Sequence, residues 1–358
     1  MTPPDPGADD TVRLVRSASE SSRQPGTTSR RGLLAAAGVV GSLCLLGGAG
    51  ALFWGRQKAP APETQASIRI APQQVAPPAP VKPPAPPGPE FAIRTGTEAE
   101  IRDNVATGLT IFRFAQDGRI LVLDFPTLHQ QAMMLNRVAA LIEKAGQPHD
   151  RVLDDASLDR MIRAGGDVPD TYYYGHDYST EALGRFFALA EKDEVRLDPE
   201  EERLRRLLQQ LGWLARGVNA GVISIPAVGT DPNMTLTARA TILHHELSHG
   251  MFFADPQYAA FVHRFWDSTL TGAERDSVRK FLGSEGYDTG LEELMYNEMQ
   301  AYLMFTPNPA FFTPARVGMT PERLAEVQTA FLRGMPTGWL RDSLAGGASI
   351  INASQPAR

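Results

Sequence analysis

The chain has 358 residues, 42% of them hydrophobic and 21% charged, enough for one large or two modest globular domains. A net charge of −6 argues against nucleic-acid binding as the main task, because phosphate contacts need a basic surface. The one cysteine, Cys44, lies outside the globular part, so the folded region has no disulfide and no thiolate ligand; any metal there must be held by His, Glu or Asp.

Residues 1–31 are polar and rich in Pro, Ser and Arg, ending in Ser29-Arg30-Arg31-Gly32-Leu33-Leu34. A charge-free run then extends over 32–55. Paired arginines, two leucines after a spacer and a glycine-rich apolar core resemble a twin-arginine export signal, with Ala49-Gly50-Ala51 as a small-x-small cleavage site. The same run could instead stay uncleaved and anchor the protein in a bilayer. Either way the arginines keep the tail cytoplasmic and the remainder is expected in the periplasm or otherwise outside the cytoplasm. Cys44 does not suit lipid attachment, since Leu43 precedes it where a small residue is wanted. Residues 56–89 form a linker with eleven prolines between 59 and 89, a composition that makes an extended spacer rather than a core.

From Phe91 the composition turns globular, and the pattern predicts an α+β, mainly helical fold with a small N-terminal hairpin and helix portion. An N-terminal α/β part is expected over 90–195, a helical catalytic part over 196–340 and a flexible tail over 341–358. Thr110–Phe114 and Arg119–Phe125 read as strands joined by Gln116-Asp117-Gly118. Leu128–Ala145 is apolar at helical spacing and stops before Gly146 and Pro148. Shorter helices follow over Ala156–Arg163 and Thr180–Glu191, with Tyr172–Asp177 between them read as a loop. Asp198-Pro199-Glu200-Glu201-Glu202 supplies a cap, a first-turn proline and first-turn acid for a helix running to about Arg216. Val222–Ile225 is a short strand.

The next helix should run from Leu236 to Phe253, capped by Thr235 or Thr237, and it carries His245-Glu246-Leu247-Ser248-His249. Histidines four apart share one helix face and can hold one zinc ion, while the intervening glutamate can act on water at the metal. Ala238, Ile242, His245, His249 and Phe252 line that face, so the imidazoles sit in an apolar stripe and need a metal or hydrogen-bond partners. His244 falls about 100° away round the helix and is not expected to ligate.

A catalytic zinc wants a third protein ligand. Asp255 stands where a third histidine would mark the metzincin pattern, so the ligand must come from elsewhere. The helix expected over Leu291–Phe305, with Thr289 and Glu292 as a capping box, places Glu298 among Leu291, Leu294, Met295, Tyr302 and Phe305, with Glu292, Glu293, Asn297 and Gln300 off that face. A lone carboxylate on an apolar stripe requires a metal, an arginine or a proton. Glu285, Glu292 and Glu293 stand in reserve as ligands.

His245-Glu246-x-x-His249 followed by Asn297-Glu298 resembles the gluzincin branch of the zinc metallopeptidases, the thermolysin-like arrangement. Ala301-Tyr302 departs from the end of that family's Asn-Glu-x-x-Ser-Asp helix, so the aspartate that orients a ligand histidine is missing there. The resemblance covers two helices and implies a zincin-like catalytic domain with one Zn2+ per chain, bound by His245, His249 and Glu298, Glu246 as general base, and a peptide or protein as substrate. For oxyanion stabilisation or support of the ligands the candidates are Tyr302, Tyr287 and His263, with Tyr296 and His176 also in view. Family analogy further suggests Val222–Ile225 as the edge strand on which a peptide is laid. Two other readings remain: a metal-stabilised envelope binding or scaffold domain without catalysis, and a zinc hydrolase of a non-peptide envelope polymer. Besides substrate, the only expected partner is the membrane, through an uncleaved N-terminal segment.

Overall fold

The computed structural model describes residues 89–344. The tail, the apolar run and the linker up to residue 88 lie outside the described residues, and with them the export and anchoring expectations. Among the described residues no helix is long and apolar enough to cross a membrane. Residues 341–344 are helical, so the expected flexible tail does not begin at 341.

In chain order the elements are β1 (Ile93–Gly96), α1 (Glu98–Arg102), β2 (Thr110–Phe114), β3 (Ile120–Phe125), α2 (Leu128–Ile142), α3 (Asp155–Ala164), β4 (His176–Ser179), α4 (Thr180–Lys192), α5 (Pro199–Leu211), β5 (Gly221–Pro226), α6 (Leu236–Ala254), α7 (Pro256–Ser268), α8 (Gly272–Ser284), α9 (Glu292–Phe305) and α10 (Pro321–Gly334). The fold is α+β and mainly helical, with one mixed sheet in the order β1-β2-β3-β5-β4. The expected hairpin is present: β2 pairs antiparallel with β3, and Asp117 in the connection accepts from the backbone and guanidinium of Arg119. β5 runs parallel to β3 and antiparallel to β4, so strands from the two expected parts, 90–195 and 196–340, share one sheet.

That topology corrects the expected edge strand. β5 is interior, buried along its whole length between two partners, and the edge on that side is β4. The segment read as a loop therefore ends in a strand. Alternation along β4 sends successive side chains to opposite faces. His176 meets Gln131 of α2, whereas Asp177 faces His249 of α6.

Three other boundaries differ for physical reasons. α2 stops at Ile142 because the chain beyond it leaves the helix to pair with another segment: Ala145 donates to Gly286 and Asp288 donates to the Glu143 carbonyl. α5 stops at Leu211, where Gly212 adopts the left-handed conformation that closes a helix and favours glycine. α9 starts without the expected capping box; its cap position, Leu291, has no side-chain bond, and the Glu292 carboxylate is taken by Arg279 at 2.6 and 2.8 Å.

The motif helix α6 is capped by Thr235 and is buried on nearly every side. Two features set it on the sheet. Arg239 and Asp124, both fully buried, form a bidentate pair at 2.8 Å per bond, and the same guanidinium donates to the carbonyls of Ile101, Arg102 and Pro226. Further along, α6 passes so close to the sheet that a Cβ on Gly250 would come 2.8 Å from the Ile120 side chain, and one on Gly221 would come 3.0 Å from the Gly250 Cα. Glycine at 250 thus lets the turn that carries His249 lie directly against the sheet.

Candidate metal centre

His245 and His249 project from α6, Glu298 from α9, and all three are almost completely buried. The two Nε2 atoms are 3.0 Å apart, and Glu298 Oε2 lies 3.9 Å from the first and 3.8 Å from the second. A point equidistant from these three atoms lies about 2.1 Å from each, within the ordinary range for zinc bound by nitrogen and carboxylate oxygen.

The protonation pattern suits ligation. Thr306 donates its hydroxyl to the Ala301 carbonyl at 2.9 Å, so at 2.7 Å from His245 Nδ1 it must accept. That places the His245 proton on Nδ1 and leaves the Nε2 lone pair facing His249 and Glu298. Burial, then the neighbouring His249 and His244, hold His245 well below the usual imidazole range. Burial brings His249 down to about 4, with Asn297 opposing. Both rings are therefore neutral near pH 7, the state a metal requires.

Both Glu298 oxygens and His249 Nδ1 lack hydrogen-bond partners despite their burial. Burial, then the charges of Asp177 and Glu143, push the Glu298 carboxyl well above its usual range, while the Tyr287 phenol holds it back. Such a carboxylate is expensive alone, and a cation at the shared point satisfies it. The residues present fit a divalent metal. His244 turns away and pairs with Glu98 at 2.9 Å, and Glu285 is held by Arg316 at 2.5 Å.

Glu246 lies beside His249. Its carboxylate, His249 and Asp177 offer ligand atoms within 4.8 Å of one another. One of its oxygens has no partner, and the backbone of Gly175 covers the other so closely that a Cβ there would overlap Oε1. Burial, then the charges of Asp177, Glu298 and Glu143, drive the Glu246 pKa far up.

Sequence reasoning missed three contributors and put two others on the wrong face. Asp177 on β4 lies 3.5 Å from His249 Nδ1 and is fixed by the Asn297 amide at 3.1 Å. Glu143, at the end of α2, accepts from Tyr178 at 3.1 Å, and its carboxylate lies within 4.8 Å of those of Asp177 and Glu298. Burial raises Glu143 to about 7 against the pull of Lys144, which burial lowers to about 8. Thr306 takes the orienting role beside His245. Asn297, with Gln300, was expected off the buried face of α9; both are buried, because the helix is enclosed on several sides, and Gln300 binds Ser248 of α6 and Tyr258 of α7.

The remaining candidates separate. Tyr302 packs edge-on against the His245 ring at 4.9 Å between centroids. Tyr287 stands by Glu298. His263 is half-buried on α7, pairs with Glu293 at 3.1 Å and lies against Tyr296, and neither of these two joins the group around His245. His176 is a buried ring on the other face of the sheet, bonded to Ser224 at 3.0 Å and brought down to about 3 by burial.

No protein-family model, no curated protein and no solved structure matches this chain.

Proposed function

We propose that the protein is a zinc-dependent hydrolase of peptide bonds, of the gluzincin type, working outside the cytoplasm. The observation that carries this reading is the convergence of His245, His249 and Glu298 on one point with the Glu246 carboxylate alongside. His245, His249 and Glu298 would hold the zinc ion, which would supply a Lewis acid to acidify water and polarise a carbonyl. Glu246 accepts the proton of the attacking water and returns it to the nitrogen that leaves. Thr306 holds the His245 imidazole, Asp177 lies 3.5 Å from His249 Nδ1, and Gly175 leaves room for the Glu246 side chain.

The depth of the site favours a second reading, a metal-stabilised domain without turnover, since His245, Glu246, His249 and Glu298 are each at most 3% exposed. Asp177 and Asn297, the neighbours of His249 and Glu298, line a cavity next to the site. The two readings separate on Glu246→Gln. The peptidase reading expects the variant to bind zinc at one per chain and to lose at least 100-fold in turnover of a peptide pool. Equal turnover in variant and wild type sinks it. Zinc binding with no cleavage by wild type supports the scaffold, and cleavage of cell-wall fragments alone supports a polymer hydrolase.

A further inference from the structure

A cavity of about 240 Å³ lies beside the metal centre, bounded by β4, the end of α2, α4, α6 and α9. Its walls are largely apolar: Ile142, Ala182, Phe252, Phe253, Leu291 and Leu294. Tyr178, Ser179 and the exposed Glu293, which pairs with His263, also line it; next to Glu298 it presents the acceptor oxygens of Glu143, Asp177 and Asn297. The Glu143 and Asp177 carboxylates lie within 4.8 Å of each other and of Glu298. Asn297 is 3% exposed; its amide nitrogen is spent on Asp177, and its oxygen is buried without a partner. The nearest lysine, Lys144, acts on Glu143 through its charge but does not bond to this group. Lys144 holds its ammonium 4.4 and 4.6 Å from the ring centres of Tyr172 and Tyr173, and forms no ion pair within 4 Å among the described residues.

We propose that this cavity binds the free α-ammonium group and the apolar first side chain of a peptide, so that the enzyme removes amino-terminal residues one at a time. This rests on the peptidase reading and narrows it. A primary ammonium has three N–H donors and a positive charge, matching three acceptors of which two are anionic. An internal residue would bring one neutral amide N–H to the same place and leave two buried carboxylates without a cation.

The spacing fixes which residue is held. Glu298 belongs both to the metal point and to the acidic cluster, so no extra residue fits between them. Within one residue the amino nitrogen and carbonyl carbon are about 2.5 Å apart, given ordinary bond lengths and angles. An ammonium seated between Glu143 and Asp177 therefore puts its own residue's carbonyl at the reaction centre. The cavity holds one substantial side chain, since a cavity of roughly 150 Å³ already accepts benzene. The reaction balances as a hydrolysis: the C–N bond breaks, the water oxygen with one hydrogen joins the carbonyl carbon, and the other proton goes to the departing nitrogen. The products are a free amino acid and a peptide with a new amino terminus.

The test pairs cleavage with binding. Zinc-loaded wild type is given Leu-Gly-Gly-amide and its N-acetylated form, and zinc-loaded Glu246→Gln is titrated calorimetrically with leucinamide and N-acetylleucinamide. The expected results are release of free leucine, at least a 100-fold lower kcat/KM after acetylation, and binding of leucinamide at least 100-fold tighter than of its acetylated form. Glu143→Gln should weaken leucinamide by at least 10-fold; the acetylation comparison stands without that variant if it fails to fold. Equal cleavage of blocked peptides, or cleavage at internal bonds only, overturns this inference while leaving the peptidase reading in place. Absence of all cleavage together with tight, acetylation-sensitive leucinamide binding overturns the peptidase reading and keeps an amine-binding pocket. Equal binding of the two amides overturns the pocket itself, as does a second divalent cation per chain that leucinamide fails to displace.

Discussion

Thr306 accepts a hydrogen bond from His245 Nδ1 at 2.7 Å while giving its own proton to the Ala301 carbonyl. The hydroxyl therefore does what a carboxylate does for ligand histidines elsewhere: it fixes the tautomer and the ring plane. Thr306→Val keeps the shape and removes the acceptor. Zinc affinity, measured by competition with a chromogenic chelator, should fall by about 10- to 100-fold, as is usual for loss of a partner behind a ligand. An unchanged affinity would show that packing against Tyr302 alone orients the ring.

Gly175 and Glu246 make a second close relationship. A methyl group at 175 overlaps the Glu246 carboxylate and also comes 3.0 Å from Ile242. Gly175→Ala should displace Glu246 without touching His245, His249 or Glu298. Overpacking of this kind costs about 1–3 kcal/mol. The variant should bind one zinc per chain with near wild-type affinity and yet hydrolyse peptide at least 100-fold more slowly. Full activity would mean that Glu246 is not held where its proton transfer requires.

The elements behind these predictions were legible to different degrees. α6 was readable because cap, helical period and motif agree over its whole length. The position of Glu298 was readable because one charge interrupts an apolar stripe. Asp177 was hidden because it sits in a four-residue strand, too short for a periodic signal, next to a histidine that looked more reactive. In a strand a shift of one residue reverses the face, and only pairing with β5 shows that His176 points to α2 and Asp177 to the metal centre. Glu143 was hidden by its place at the end of α2, since its role appears only when the following residues pair with 286–288. Asn297 and Gln300 were assigned to the outer face of α9 because polar side chains were taken to face water; enclosure by neighbouring helices reverses that, and both side chains find polar partners inside.

Glu298 should have opposite effects with and without metal. In chelated protein its carboxyl is buried and lacks hydrogen bonds, so it must either bear a buried charge or take up a proton, and Glu298→Gln removes that cost. With metal present the same change removes a ligand. Thermal melts in chelator should show the variant at least as stable as wild type. Melts at a zinc concentration about 100 times the wild-type dissociation constant should show wild type gaining about 2.7 kcal/mol and the variant much less. A variant that is less stable in both conditions by the same amount would argue for an ordinary structural role.

The ion pair between Glu274 and Arg323 gives a pH signature away from the metal centre. Arg323 Nε donates to Glu274 at 2.7 Å, and the Thr271 amide and hydroxyl donate to the same carboxylate at 2.8 and 3.0 Å. The Arg323 bond first, then the Thr271 bonds, bring the Glu274 carboxyl down to about 2 against the cost of burial. A folded-state pKa below the unfolded one means that unfolding takes up a proton. The resulting stability is fully present above the ordinary value of 4.5 and is lost as the pH falls toward about 2. Arg323 is 37% exposed, so solvent screening reduces the contribution to about 1 kcal/mol, or roughly 2–4 °C in Tm for a domain of this size. Glu274→Gln should melt lower than wild type by that amount at pH 7. The gap should shrink steadily between pH 4.5 and 2, because wild type loses the charge that the variant never had. A gap that stays constant across that range would show the carboxylate acting through its cap geometry alone.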